Sequence, residues 1–403
     1  MTEKRRSIAA PIIAVLFFLF VAYAFAENIM TPAASLKAVI DGGSIVEQIS
    51  GFESRYNGAF VNKTAFVDMN GLGHRVLLQR QMSDVYLMGN GHVTGVVGQP
   101  PEEGIKANAE SVKAFSDWFE TEKGGNFIYV QVPMKNSKYD DQLPKGLPDY
   151  SNDTADRFLA FLGDDVDKID LRENMQADGV DFYSLYLKTE HHWNGYGGFY
   201  AFQEICQYMQ ENFGTEIDSA VLDINNYENI ILKETSLGHY GQKTGQFFAG
   251  YDEFPILVPK FETQQSCFVT HRDVTRTGTF YDAVFDKDFL KAEKRNRGLY
   301  GMYIGGDFPL VIHESETAKN SETVMVFIDS YGTIVESYLT TAFRKVIAVD
   351  LRWVLRKGME ESAVDFIERY QPDTVIVMFN PNQIGSATSE QFQYGLPEEW
   401  LAQ

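Results

Sequence analysis

Thr189-Glu190-His191-His192-Trp193 is the stretch that decides how the chain folds around its candidate site. It separates a predicted strand, Phe182 to Lys188, from a predicted helix, Asn194 to about Asn212. In an extended chain, residues i and i+2 project to the same face, so Glu190 and His192 are predicted to form a pair. The carboxylate would accept the Nδ1 proton of His192 and leave Nε2 free to act as a base.

A serine that this base can serve lies in the turn Asp329-Ser330-Tyr331-Gly332. The turn joins a predicted strand, Val324 to Ile328, to a predicted helix, Thr333 to Phe343. Ligands of open α/β sheets bind at the carboxyl ends of the strands, and a helix N-terminus favours negative charge there. The turn is therefore the predicted position of a nucleophile.

The predicted catalytic triad consists of Ser330, His192 and Glu190, because a serine hydroxyl needs a base to become a nucleophile. The backbone N–H groups of Ser330, Tyr331 or Gly332 are predicted to stabilise the oxyanion of a tetrahedral acyl intermediate. Gly332 is expected to let a substrate approach the backbone closely.

Each of these residues also has a structural interpretation. Ser330 alone is typical of a helix cap, His192 and His191 alone of structural histidines, and Trp193 alone of packing. Glu190 and the two histidines are candidate metal ligands. Adjacent histidines in an extended chain point in opposite directions, however, so no metal site and no cofactor is predicted.

Two further residues are candidates for the site. Asn380 follows the last predicted strand and is either an oxyanion donor or a turn residue. Arg352 either holds a substrate carboxylate or forms an ion pair with Asp350.

Strands and helices alternate over most of the chain, which predicts an α/β fold with a mainly parallel sheet flanked by helices. Residues 214–315 interrupt this alternation and are predicted to form an irregular, partly β-structured insertion that carries a substrate surface. Beyond the elements above, the predicted helices are Ile105 to Glu122, Asp153 to Leu162 and Glu360 to Tyr370, and the predicted strands are Phe127 to Val132, Val166 to Leu171, Val346 to Asp350 and Thr374 to Phe379.

Thr189 to Ala201 resembles the signature of DHHW proteins, bacterial relatives of the SGNH-like alginate O-acetyltransferase components, with Glu190 where Asp is usual. Val326 to Gly332 is similar to the serine block of this family, and Lys345 to Trp353 to the segment that follows it. The resemblance implies one SGNH hydrolase-like domain over residues 30–403, with the insertion at about 214–315.

The resemblance also implies roles for particular residues. Trp193 would help to wall the site, and Asn380 would donate to the oxyanion as an asparagine does in SGNH enzymes. The loop from Val132 to Pro148 is similar to one near the family's site, which brings in Lys135 and Tyr139.

Composition excludes some partners. The chain of 403 residues has a net charge of −21, which argues against nucleic acid or an anionic membrane surface as a main partner. Its two cysteines, Cys206 and Cys267, fit no zinc pattern. A disulfide between them is possible outside the cytoplasm, and the alternative is that Cys206 is a small core residue.

The N-terminus predicts export. Lys4-Arg5-Arg6 precede an uncharged, mostly apolar run from Ile8 to Ala26, which would span about 28 Å as a helix. Residues 1–29 are predicted to be a signal anchor that holds the protein in the cell membrane as a single-pass helix, with the domain outside. The alternative is a signal peptide cleaved after Ala26, which would give a secreted protein.

Two functions remain open. The first is an extracytoplasmic O-acetyltransferase or acetylesterase that acts on hydroxyls of a polysaccharide through a serine acyl-enzyme. The resemblance implies for it a polytopic membrane O-acyltransferase as partner. The second is a non-catalytic glycan-binding or scaffold component of a polysaccharide-modification complex, favoured by the replacement of the usual aspartate with Glu190.

Overall fold

The computed structural model describes residues 3–29, 45–291, 298–385 and 390–401. The chain divides into two compact units, Met1–Asn70 and Gly71–Gln403. The first unit contains helix α1 (Glu3–Asn28), helix α2 (Ile45–Ala59) and the start of helix α3 (Lys63–Val76). None of the helices that the structure describes is both long and apolar enough to cross a membrane.

The second unit contains the strands. They are β1 (Gln81–Met82), β2 (Val85–Leu87), β3 (Val93–Thr94), β4 (Asn126–Gln131), β5 (Lys168–Asp170), β6 (Tyr227–Ser236), β7 (Asp252–Pro259), β8 (Gln265–Val269), β9 (Val274–Gly278), β10 (Leu310–Ser315), β11 (Asn320–Ile328), β12 (Phe343–Val349) and β13 (Thr374–Phe379). Eight of them form one sheet in the order β5-β4-β13-β11-β12-β10-β8-β9. Strands β5 to β12 in this order pair in parallel, and β10, β8 and β9 add antiparallel pairs.

Helices cover both faces of this sheet. They are α4 (Glu102–Lys123), α5 (Ser151–Leu162), α6 (Leu171–Ala177), α7 (Gly195–Tyr208), α8 (Ser219–Leu222), α9 (His239–Thr244), α10 (Gln246–Ala249), α11 (Phe280–Val284), α12 (Gly332–Ala342), α13 (Leu351–Arg356), α14 (Ala363–Tyr370), α15 (Pro381–Ile384) and α16 (Glu398–Leu401). The predicted α/β fold with a mainly parallel, helix-flanked sheet is confirmed.

Alternate residues of the central strands enter two separate cores, because side chains of a strand project to opposite faces. In β4, Ile128 and Val130 join the core that contains α7 and α12. Phe127 and Tyr129 join the core that contains α4, α5 and α14. Both sets are fully buried, which explains the continuous apolar run that identified this strand in the sequence.

The structure corrects one sequence expectation and adds detail to another. The predicted strand Phe182 to Lys188 is wrong: Phe182–Leu185 forms a 3₁₀ turn, and only Tyr186 makes an isolated bridge, to Trp193. The segment 214–315, predicted as a partly β-structured insertion, contains the strands β6 to β10, and three of them, β8, β9 and β10, belong to the main sheet. Their antiparallel pairing explains why the α/β alternation stops there.

Candidate active site

Ser330 lies in the turn between β11 and α12. Its Oγ atom is 2.7 Å from Nε2 of His192. Helix α12 begins at Gly332, its N-cap residue is Tyr331, and no side chain caps it. The interpretation of Ser330 as a helix cap is therefore wrong, and its hydroxyl faces the histidine.

The Ser330 turn is held by the carboxylate of Asp329. Its Oδ1 accepts a hydrogen bond from Tyr331 N at 2.9 Å, and its Oδ2 accepts from N and Nδ2 of Asn380, both at 2.7 Å. Burial raises the pKa of Asp329 to about 6, although the charge of Arg352 opposes this shift. Asn380 thus donates to Asp329 and caps α15, as a turn residue does.

Two of the three predicted oxyanion donors are already used inside the turn. Tyr331 N donates to the side chain of Asp329, and Gly332 N donates to its carbonyl at 2.9 Å. The Ser330 N–H has no acceptor among the described residues. A Cβ at Gly332 would lie 2.3 Å from Cγ2 of Ile328, so close packing at this position requires glycine.

The acid–histidine stretch folds back on itself. Tyr186 bridges Trp193, Leu187 N donates to His192 O at 3.2 Å, and Asn194 N donates to Leu185 O at 2.8 Å. Residues 188–192 are bends between these contacts. His191 and His192 therefore do not point apart: their ring centroids are 3.7 Å apart, and the prediction of opposite directions is wrong.

Lys135 and Asp252 hold this loop from within the protein. Lys135 Nζ donates to the carbonyls of Val93, Lys188 and Glu190 at 2.7, 2.8 and 2.9 Å. Burial lowers the pKa of Lys135 to about 7, against the charges of Asp252 and Glu190.

The carboxylate of Asp252 accepts from the backbone and hydroxyl of Thr189 and from the backbone N–H of Lys188. A loop with no regular structure thus has its backbone groups paired, as buried polar groups require.

Glu190 contacts both histidines, but not equally. Its Oε1 is 2.5 Å from Nδ1 of His191 and 3.5 Å from Nδ1 of His192. The second distance is longer than an ordinary hydrogen bond. Oε2 accepts from His239 N at 2.6 Å. Burial works to raise the pKa of Glu190, but the imidazoles of His191 and His192 hold it well below its usual range.

His192 is a buried, neutral imidazole. Burial, together with the nearby His191, lowers the pKa of His192 to about 3, and Glu190 opposes this shift. Its ring stacks on Tyr300 with centroids 3.8 Å apart and planes 6° apart. The Tyr300 hydroxyl donates to the carbonyl of Ser330 at 2.6 Å, so Tyr300 contacts both members of the pair.

Trp193 is fully buried and donates its indole N–H to the carbonyl of Tyr331 at 3.1 Å. It therefore packs behind the serine turn, in agreement with the packing interpretation. Arg352 forms a two-point ion pair with Asp350, at 2.9 and 2.5 Å, as one of its two interpretations had it. Cys206 and Cys267 are both free and buried, so the disulfide is not formed.

The donor atoms of Glu190, His191 and His192 all lie within 4.8 Å of one another, a spacing that could hold a metal ion. In this arrangement Glu190 accepts from His191 instead, and His192 Nε2 contacts Ser330. The donor set thus matches a metal site in spacing, while its hydrogen bonds match acid–base chemistry.

Of the two loop residues that the resemblance brought in, only one lies at the site. Lys135 lies at the site, whereas Tyr139 is half exposed and hydrogen-bonds Glu173. Asp252 and Tyr300 were not predicted as site residues, because both approach the site from elements distant along the chain.

A family model matches part of this chain. Residues 94–226 match the family model of the SGNH hydrolase-like domain, acetyltransferase AlgX. The match covers about a third of the chain and ends before Ser330. The matched segment contains the Thr189 to Trp193 stretch, and the resemblance drawn from the sequence is confirmed.

Two solved structures are similar to this chain in overall fold. Bacillus cereus PatB1 with a sulfonyl adduct has a TM-score of 0.63 at 16% identity, over 78% of this chain and 99% of that one. A DHHW family protein from Eubacterium siraeum has a TM-score of 0.56 at 17% identity, over 78% of this chain and 96% of that one. No curated protein sequence matches significantly. At these identities the likeness shows the fold alone.

Proposed function

We propose that this protein is an extracytoplasmic O-acetyltransferase or acetylesterase that acts on hydroxyls of a polysaccharide through an acyl-enzyme on Ser330. The observation that carries the proposal is the 2.7 Å contact between Ser330 Oγ and His192 Nε2. The acetyltransferase description of the matching family model supports the chemistry.

In the first half of the reaction, Ser330 Oγ attacks the carbonyl carbon of an acetyl ester while His192 Nε2 takes the hydroxyl proton. The free N–H of Ser330 would donate to the developing oxyanion. The carbonyl re-forms, the donor's C–O bond breaks, and His192 returns the proton to the departing alkoxide. The products are an acetyl ester of Ser330 and the free donor alcohol.

In the second half, a sugar hydroxyl attacks the acetyl-serine carbonyl and His192 takes its proton. The tetrahedral intermediate collapses, the bond between the acetyl carbonyl carbon and Ser330 Oγ breaks, and Oγ recovers a proton from His192. Water in place of the sugar makes the same sequence an esterase reaction. The lowered pKa of His192 keeps Nε2 unprotonated and able to accept the hydroxyl proton, and the charge of Glu190 would offset part of the cost of forming the imidazolium.

Glu190 is the proposed third member of a Ser–His–Glu triad. It lies 3.5 Å from His192 Nδ1, close enough for its charge to stabilise an imidazolium during the reaction. Its closer contact with His191 is the observation that favours the alternative function, a non-catalytic glycan-binding or scaffold component.

The membrane or extracellular location is also part of the proposal, as is a polytopic membrane O-acyltransferase partner. The location rests on Lys4-Arg5-Arg6 and the apolar run from Ile8 to Ala26. Fractionation of cells that express the full chain, with protease added to intact cells, would test it. Protection of the domain from protease would contradict an external location.

A sulfonyl fluoride tests the catalytic proposal directly. Activated Ser330 Oγ would displace fluoride from phenylmethylsulfonyl fluoride and form a stable sulfonate ester. Intact-mass and peptide analysis of the labelled full chain should place one adduct on Ser330, and His192→Ala should prevent it. Absence of labelling in the folded parent, or labelling at another serine, would favour the non-catalytic alternative.

A further inference from the structure

A cavity of about 290 Å³ opens where residues 183–196 meet β7. It does not include the Ser330–His192 pair. Its walls combine tyrosine rings with charged side chains. Ligand sites combine aromatic walls with a few polar groups in this way.

The tyrosines of this cavity are fixed in place by their hydroxyls. Tyr196 accepts from Asn229 at 2.5 Å, and Tyr251 donates to Gln246 at 2.9 Å. The deeper Tyr183 and Tyr186 donate to backbone carbonyls, both at 2.8 Å. Because the hydroxyls are hydrogen-bonded, the rings are already held in position in the free protein. A ligand that contacts them therefore loses less side-chain conformational entropy on binding.

Two opposite charges face this cavity without partners of their own. Lys188 and Glu253 are exposed, and no ion pair or side-chain hydrogen bond of either is found within the described ranges. The carboxylate of Asp252 also borders the cavity, but it is occupied by the backbone of the Lys188 loop. Burial lowers the pKa of His92, another wall residue, to about 3, so that side chain is neutral.

This balance selects a class of ligand. One ammonium and one carboxylate can each hydrogen-bond sugar hydroxyls, and together they add no net charge to the cavity. The carboxylates of a polyuronate would be repelled by Glu253 and by the net charge of −21 on the protein. A neutral saccharide rich in hydroxyls experiences neither repulsion.

The cavity is also close to the catalytic pair along the chain. Lys188 lies four residues before His192, and successive Cα atoms are about 3.8 Å apart, so their Cα atoms are at most about 15 Å apart. A saccharide chain of a few residues is long enough to bridge this distance.

From the cavity's anchored aromatic walls, its unpaired Lys188 and Glu253 and its nearness to His192, we infer that it is an acceptor subsite for a neutral saccharide chain. This inference rests on the proposed function, because it names the class of sugar whose hydroxyl takes the acetyl group. The tyrosine rings cover the apolar faces of the sugar, and Lys188 and Glu253 bind its hydroxyls.

Direct binding tests the subsite without turnover. The full chain with Ser330→Ala would be titrated calorimetrically with cellotetraose, mannotetraose, tetra-N-acetylchitotetraose and tetragalacturonate. At least one neutral tetrasaccharide should bind, and tetragalacturonate should bind at least tenfold more weakly. Binding of the uronate alone, or of none of the four, would overturn the inference.

Matched variants locate the binding. Glu253→Gln and Lys188→Met change exposed side chains and should each weaken binding of the neutral tetrasaccharide about tenfold. Tyr251→Ala should do the same, whereas Tyr251→Phe keeps the ring and should retain binding. Tyr139→Ala, a tyrosine outside the cavity, is the control. Equal affinity in all of these variants would exclude the cavity as the binding site.

The two proposals fail in different ways. A parent protein that binds the neutral tetrasaccharide but never hydrolyses an acetyl ester or reacts with a sulfonyl fluoride keeps the subsite and loses the enzyme. A parent that hydrolyses the ester, with saccharide binding insensitive to the cavity variants, keeps the enzyme and loses the subsite.

Discussion

Nε2 of His192 lies 2.7 Å from Oγ of Ser330, although 138 residues separate them along the chain. The fold brings them together through the sheet. Ser330 follows β11, and Lys135, which follows β4 two strands away, holds the loop that carries His192.

Ser330→Ala and His192→Ala should each lower hydrolysis of a small chromogenic acetyl ester by at least about a thousandfold, because each removes one partner of the proton transfer. Initial rates of the purified full chain measure this effect. Ser219→Ala, at an exposed serine far along the chain from the site, is the matched control and should retain the parent rate. Equal rates in all four folded proteins would contradict a serine mechanism.

His191→Ala should cost little, because its imidazole contacts Glu190 and not the serine. Loss of the 2.5 Å partner frees Glu190 Oε1 to approach His192, so we expect a rate within about tenfold of the parent. Glu190→Gln removes the charge that stabilises the imidazolium, and its rate should be lower than that of His191→Ala by a factor of about ten or more. A Glu190→Gln protein as active as the parent would remove Glu190 from the triad.

Lys135→Met should destabilise the protein, since the carbonyls of Val93, Lys188 and Glu190 lose their buried donor. We expect the free energy of unfolding to fall by about 2–4 kcal/mol, measured by denaturant titration. Lys138→Met removes only partly exposed ion pairs and should cost less than about 1 kcal/mol. A small effect at Lys135 would mean that its carbonyls find other donors.

The pH dependence of the ester hydrolysis should follow Asp329 and not His192. Asp329 accepts three hydrogen bonds as a carboxylate, so protonation near its pKa of about 6 should loosen the serine turn. The pKa of His192 is about 3, so this base stays neutral over the same range. We therefore expect kcat/KM to be flat above about pH 7 and to fall below pH 6.

The Asp329 contribution to stability has the opposite sign. Its pKa is raised in the folded state, so the folded protein binds the proton more tightly than the unfolded chain does between about pH 4 and 6. This contribution stabilises the fold at low pH and is lost as pH rises through about 6. Asp329→Asn should abolish both the fall in kcat/KM below pH 6 and this part of the stability profile. Persistence of the fall in that variant would assign it to another group.

Much of the central sheet could be predicted because its signals are local. The strand Thr374 to Phe379 was predicted at its observed bounds. A short, continuous apolar run between polar residues indicates a strand that is buried on both faces of a sheet. The segment before Trp193 was predicted as a strand because its Phe and Tyr residues favour strands in general. Its backbone groups instead hydrogen-bond the side chains of Asp252 and Lys135. Both residues are distant along the chain, so the local sequence does not predict these bonds.

The sequence by itself determined the α/β alternation, the serine after a buried strand and the histidine that serves it, because each depends on residue type and short-range pattern. Only the tertiary structure decided which imidazole lies closer to Glu190 and which backbone N–H groups are hydrogen-bonded within the serine turn. It also decided where a cavity opens beside the loop that carries Lys188. These depend on distances between segments far apart in the chain, and such distances are set by packing, which no local pattern encodes.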